Sequence, residues 1–194
     1  ERGGRRARGT WGAETTGTPR GDQGRVGGMV AGKTGVGAAV ASSVGWRHGD
    51  VDRAVTQLAG RYIGVIIHGG GEEAFRDLEE QALGLQMQAV DPIVLSTGGG
   101  VLGRETNRAV LAREATVVWL RATPETLAAR VGDPSSRPLL ADSDPVEALR
   151  RLASERAPAY ETAADTVIDT DGLDISMVGA LVVDALPATD GAVR

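Results

Sequence analysis

No cysteine occurs anywhere in the 194 residues. That excludes disulfides, thiolate metal sites and a cysteine nucleophile. Histidine is nearly as scarce: His48 and His68 are the only two, too few for a histidine-rich zinc site, and both read as incidental. Aromatics number six (Trp11, Trp46, Trp119, Tyr62, Tyr160 and Phe75), so stacking platforms for single-stranded nucleic acid are not expected. No apolar run approaches the roughly 20 residues that span a bilayer. The net charge of −5 argues against general nucleic-acid binding. What is left is a soluble, cytoplasmic α/β protein long enough to bury a substantial core.

Lysine is the sharpest shortage. Twenty of the 21 basic residues are arginine, and the single lysine is Lys33. A chain so biased keeps one lysine where its role needs a compact ammonium rather than a planar fork. Charge is also unevenly placed: residues 1–28 carry six Arg against Glu1, Glu14 and Asp22, a balance of +3, which leaves −8 for the rest. Residues 1–25, rich in Gly, Arg and Thr and without apolar periodicity, are expected to be a disordered tail. A single domain is expected over 26–187, with a short tail at 188–194.

From Gly27 onward, helical and extended patterns alternate, the signature of a layered α/β fold with a parallel sheet. Helices are expected at Lys33–Val44, Val51–Ala59, Tyr62–Ile67 and Glu72–Gln88, the last with Phe75, Leu78, Ala82, Leu83 and Leu85 on or near one face. Strands are expected at Ile93–Ser96, Thr116–Leu120 and Thr166–Asp169, with a short extended piece leading to Asp50. Thr123-Pro124-Glu125 reads as an N-cap with Pro at the first helical position, opening a helix to about Val131. Polar residues 132–145 read as a mobile lid. Helix is expected again through Arg156, with Pro158 near its end, and over Asp174–Leu186.

Gly27-Gly28-Met29-Val30-Ala31-Gly32-Lys33-Thr34 satisfies G-x-x-x-x-G-K-[ST]. Backbone N–H groups of such a loop and of the helix it opens surround phosphates; the lysine reaches the β/γ oxygens and the hydroxyl ligates Mg²⁺. A phosphate loop should follow a buried apolar strand, and Asp22-Gln23-Gly24-Arg25-Val26 lacks the apolar run for one.

Five further motifs follow in order. They are Asp50-Val51-Asp52, Gly71-Glu72-Glu73-Ala74-Phe75-Arg76-Asp77-Leu78-Glu79, Gly98-Gly99-Gly100, Arg137-Pro138-Leu139-Leu140 and Arg156-Ala157-Pro158-Ala159-Tyr160. Together with the loop, and over roughly 160 residues, the chain resembles the shikimate kinases of the nucleoside-monophosphate-kinase-like P-loop group. The resemblance implies a three-layer α/β/α fold, P-loop NTPase-like, with a five-stranded parallel sheet and a substrate-binding region over 51–84. It implies phosphorylation of shikimate to shikimate 3-phosphate with ATP, as a monomer in the cytoplasm, with Mg²⁺ and without nucleic-acid or membrane partners.

The resemblance also implies roles. Gly28, Met29, Val30, Ala31, Gly32, Lys33, Thr34 and Gly35 would bind ATP, with Arg130 stacked on adenine and Arg137 brought over the γ-phosphate. Thr34 would bind Mg²⁺ directly and Asp50 through water. Asp52 would orient the attacking hydroxyl and take its proton. Arg76 and Arg156 would clamp the carboxylate, where a planar guanidinium suits a planar acid, and Gly98, Gly99 and Gly100 would lie against the substrate. Glu79, one turn after Arg76, could fix its rotamer. The chain departs from the family's usual residues at Val30 (Gly), Gly35 (Ser or Thr) and Thr56 (often acidic), all in the nucleotide half. Two alternatives therefore stand beside the kinase: a degenerate fold that binds the acid without transfer, and a related kinase such as a gluconate kinase.

Overall fold

A computed structural model describes residues 25–27, 33–131 and 144–187. The chain runs β1 (Arg25–Gly27), α1 (Lys33–Val44), β2 (Arg47–Asp50), α2 (Val51–Ala59), α3 (Ile63–Met87), β3 (Ile93–Ser96), a 3₁₀ turn (Val101–Gly103), α4 (Glu105–Glu114), β4 (Thr116–Arg121), α5 (Pro124–Val131), α6 (Pro145–Ala163), β5 (Thr166–Asp169) and α7 (Ile175–Asp184). All strands pair in parallel, in the order β2-β3-β1-β4-β5.

Both faces of the sheet are covered, and the strands show it residue by residue. Along β4, Val117 and Trp119 join one core while Val118 and Leu120 join the other. The same alternation places Leu95 and Val94 of β3 on opposite sides, as the two-residue period of a strand requires. The first core is closed by α2, α3, α4 and α6 through Val55, Phe75, Leu83, Leu111 and Tyr160. The second is closed by α1 and α7 through Val36, Val40, Val178 and Val182. The result is the expected three-layer α/β/α arrangement.

The sequence pattern misjudged β1. No apolar run precedes the glycine loop, yet Arg25 and Val26 pair with Ile93 and Val94, and Val26 and Gly27 pair with Thr116 and Val117. A central strand has backbone partners on both sides, so three residues suffice where hydrophobic pattern is absent.

Three other expectations need correction. Leu85 is 55% exposed; it lies about 200° around α3 from Leu83, on the face away from the core. α6 runs on past Pro158 to Ala163. Proline removes one N–H, and the last turn is held instead by the buried Tyr160 and by Thr162 Oγ1 donating to the Pro158 carbonyl at 2.8 Å. The two helices expected at 62–67 and 72–88 follow one another as α3, broken at Gly71, whose φ of 78° suits glycine. α4 had no counterpart in the sequence reading. Of the tail expected over 1–25, Arg25 instead opens β1, and of the lid expected over 132–145, Asp144 and Pro145 instead begin α6. Residues 1–24, 28–32, 132–143 (Arg137 among them) and 188–194 lie outside the described residues.

Candidate active site

The carboxyl ends of a parallel sheet are where an α/β fold gathers ligands, and Asp50, Asp52 and Gly98–Gly100 stand at or just beyond the ends of β2 and β3. β1 ends at Gly27, and α1 opens on Lys33. Thr34 follows, and its Oγ1 donates to Asp50 Oδ2 at 2.7 Å. Asp50 ends β2 and caps α2, accepting from the Arg53 N–H at 3.1 Å through Oδ1. Both of its oxygens are thereby fixed. A hydroxyl and a carboxylate oxygen side by side form a hard-oxygen pair of the kind Mg²⁺ accepts.

Gly35 lies against the start of α7. A Cβ there would lie 3.0 Å from Ile175 Cδ1, at the first turn of α7. Thr56 turns inward on its own helix, its Oγ1 donating to the Asp52 carbonyl at 3.1 Å. Arg130, at the end of α5, donates to Thr170 Oγ1 at 2.9 Å, to the Thr170 carbonyl at 2.6 Å and to the Leu173 carbonyl at 3.4 Å. Its guanidinium is thus held against the loop that follows β5. His48 is tied to Ser96 at the end of β3, Nε2 to Oγ 3.0 Å.

The second cluster lies where α2, α3 and α6 meet the turn after β3. Arg76 donates to Glu72 Oε1 at 2.7 Å and to Glu79 Oε2 at 2.8 Å. This is no exposed helix pair: the Arg76 side chain is 13% exposed and that of Glu79 1%. Burial works to lower the Arg76 pKa, but the carboxylates of Glu79 and Glu72 outweigh it and hold the guanidinium above its usual value. For Glu79, burial comes first and pushes the carboxyl up, Arg76 pulls it down, and Asp52 adds like-charge repulsion. Glu79 Oε1 is buried with no hydrogen-bond partner among the described residues.

The glycine turn explains how these groups come so close. A Cβ on Gly100 would collide with the Arg76 guanidinium. A Cβ on Gly98 would lie 2.9 Å from Glu79 Oε1 and 3.1 Å from Asp52 Oδ1. Only the missing side chains let Arg76, Glu79 and Asp52 press against the turn. Tyr160, on α6, donates from its hydroxyl to the Gly99 carbonyl at 3.3 Å and packs on Trp119, ring centroids 5.4 Å apart. Arg156, one turn earlier on α6, is near enough that its charge acts on both Glu79 and Tyr160. The arrangement can hold a planar anion between guanidinium groups and present a carboxylate to a hydroxyl.

Asp52, Arg76, Arg156 and Gly98–Gly100 therefore converge, and Thr34, Gly35 and Asp50 form a separate group with Lys33 at the head of α1. Two features escaped the sequence reading. The direct Thr34–Asp50 bond spans sixteen residues and has no local signal. The grip of Tyr160 on the glycine turn was signalled only as the last letter of its motif.

Over residues 29–186 the chain matches the shikimate kinase family. It is 40% identical over 145 residues to a shikimate kinase of Neisseria meningitidis serogroup C, covering 75% of this chain and 85% of that one. It is similar to the solved structure of Acinetobacter baumannii shikimate kinase in complex with shikimate, with TM-score 0.80 and 28% identity over 84% of this chain and 92% of that one. A gluconokinase from Sinorhizobium meliloti shares the fold alone, at TM-score 0.51 and 18% identity over 86% of this chain and 95% of that one.

Proposed function

Because the chain belongs to the shikimate kinase family, we propose that it carries a phosphoryl group from ATP to a hydroxyl of shikimate, giving ADP and shikimate 3-phosphate. One observation carries the assignment of the acid's place: Arg76, Glu79 and Asp52 converge on a turn that admits them only because it is glycine. Arg76 and Arg156 hold the carboxylate of the acid, and the backbone of Gly98, Gly99 and Gly100 lines its other side. Asp52 accepts a hydrogen bond from the attacking hydroxyl and takes its proton as the oxygen–phosphorus bond forms and the bond from the γ-phosphorus to the bridging oxygen breaks. The unpartnered Glu79 oxygen beside Asp52 offers a further acceptor at that end.

At the other end, Lys33 and the N–H groups of Gly28, Met29, Val30, Ala31, Gly32, Thr34 and Gly35 hold the phosphates, with Arg130 on the base and Arg137 over the transferring group. Thr34 and Asp50 would hold Mg²⁺, which would offset charge on the phosphate oxygens. The pairing of β1 and the bond between Thr34 and Asp50 speak for a working nucleotide half rather than a fold that only binds the acid. We read the enzyme as a monomer, and the net charge of −5 speaks against nucleic acid as a partner. We place the enzyme in the cytoplasm, where ATP is supplied; among the described residues no helix is long and apolar enough to cross a membrane.

The test is a substrate panel with coupled detection of ADP. Shikimate should support turnover and gluconate should not, and Arg76→Ala should raise KM for shikimate with little effect on KM for ATP. Equal turnover of both acids, or an unchanged KM in Arg76→Ala, would contradict this assignment.

A further inference from the structure

The part of α3 that carries Arg76 and Glu79 is strongly acidic. From Glu72 to Glu80 it holds Glu72, Glu73, Asp77, Glu79 and Glu80 against a single cation, Arg76. Arg76 takes Glu72 and Glu79. The remaining carboxylates, at 73, 77 and 80, fall four and three residues apart and share the neighbouring face of the helix. Uncompensated, three like charges at that spacing repel one another and weaken the helix.

Arg104 meets all three. Its Nη2 lies 2.8 Å from Glu73 Oε2 and 2.6 Å from Asp77 Oδ1, and its Nη1 lies 3.0 Å from Glu80 Oε2. Arg104 stands four residues after Gly100, at the N-cap of α4, and the segment between them is internally tied. Gly103 N–H donates to the Gly100 carbonyl at 2.9 Å. Asn107 Nδ2 donates to the Val101 carbonyl at 2.9 Å, and Arg108 Nη1 to the carbonyls of Leu102 at 2.6 Å and Gly103 at 3.0 Å. α3 is thus joined to the glycine turn twice: by Arg76 pressed on Gly100, and by Arg104 on the adjoining face.

We infer that Arg104 is a positioning residue for the acid substrate: it fixes α3, and with it Arg76, relative to the Gly98–Gly100 turn, and its charge offsets the carboxylates behind Arg76. The inference rests on the reading of Arg76 and the turn as the acid's subsite. Its two effects separate chemically. Holding three carboxylates needs the planar fork of arginine, whereas offsetting their field needs only positive charge.

Steady-state kinetics on the full chain test it. Arg104→Gln, which loses fork and charge, should raise KM for shikimate about tenfold, as expected for a coupling between neighbouring groups. Arg104→Lys, which keeps the charge, should raise it about threefold. In both, kcat and KM for ATP should stay within about twofold of the parent, an asymmetry that general loosening of the fold would not produce. An unchanged KM for shikimate in both variants, or in Arg104→Lys alone if Arg104→Gln does not fold, overturns the inference, as does an equal rise in both KM values. Arg76→Ala in the same assay tells the two failures apart. If it raises KM for shikimate while the Arg104 variants do not, the inference fails alone; if it too changes nothing, the subsite reading fails.

Discussion

At the acid end of the site, charged side chains from three helices converge on a glycine turn, whereas the proposed phosphate end is built from the head of α1 and the junction of β2 with α2. The first is a side-chain device. Arg76 is held between Glu72 and Glu79, Glu79 is buried beside Asp52, and Tyr160 ties the turn to α6. The second rests mainly on the backbone, in a three-residue strand paired on both sides and the head of a helix, with one side-chain bond, Thr34 Oγ1 to Asp50 Oδ2, beside them. The difference follows from the ligands they are proposed to take. Polyphosphate is bound by many N–H groups at once, while a small carboxylic acid needs a few groups aimed well. Substitutions at the two ends should therefore fail in different ways.

The largest expected effect is at the phosphate end. Lys33→Ala should lower kcat about a thousandfold or more by removing a charge that acts on the transferring group, measured as ADP release at saturating substrates. Binding of shikimate, followed by calorimetry, should survive it. If both are lost together, the two ends are not separate devices.

Next comes Gly100→Ala. The added Cβ would displace the Arg76 guanidinium, and a misplacement of that size costs about a hundredfold. It should appear in KM for shikimate and spare KM for ATP. A variant with wild-type kinetics would mean that the turn and Arg76 do not act together.

Glu79→Gln sharpens the acid end further. It should raise KM for shikimate about tenfold by weakening the hold on Arg76. It also has a pH signature. Burial raises the Glu79 pKa in the folded protein, so the folded state binds that proton more tightly than the unfolded chain. The favourable contribution is fully present below the ordinary glutamate range, is lost as pH rises from there to the raised value, and is constant above it. Measured by urea unfolding across that range, the stability of Glu79→Gln relative to the parent should therefore increase with pH. A difference independent of pH would contradict the raised pKa.

The smallest effect should come from a position in neither device. Asp174 caps α7, accepting from the Met177 N–H at 2.9 Å, and Asp174→Ala should cost about 1 kcal/mol of stability. Thermal unfolding would register it, with both KM values unchanged.

The same contrast decides what the sequence revealed. α1, α2, β3, α5 and β5 carry local signals, such as the Thr123–Pro124 cap and short β-branched runs, and they lie where the pattern places them. β1 carried none, because its stability is in backbone pairing that no side chain announces. α4 was invisible because its short sequence, with charged and polar residues at Glu105, Asn107, Arg108, Arg113 and Glu114, keeps little apolar period. At the site, motif order supplied the residues but not their depth. Arg76 and Glu79 look like a surface pair until α2, α6 and the glycine turn close over them. Arg104 stayed hidden since Glu80 and Glu73 lie 24 and 31 residues away along the chain.

The most direct measurement is ADP release from the purified chain given Mg²⁺·ATP, with and without shikimate. Release that depends on shikimate and yields shikimate 3-phosphate in equal amount is the predicted result. Shikimate binding with no ADP formed would contradict it, and would leave a kinase fold that holds its acid without transferring phosphate.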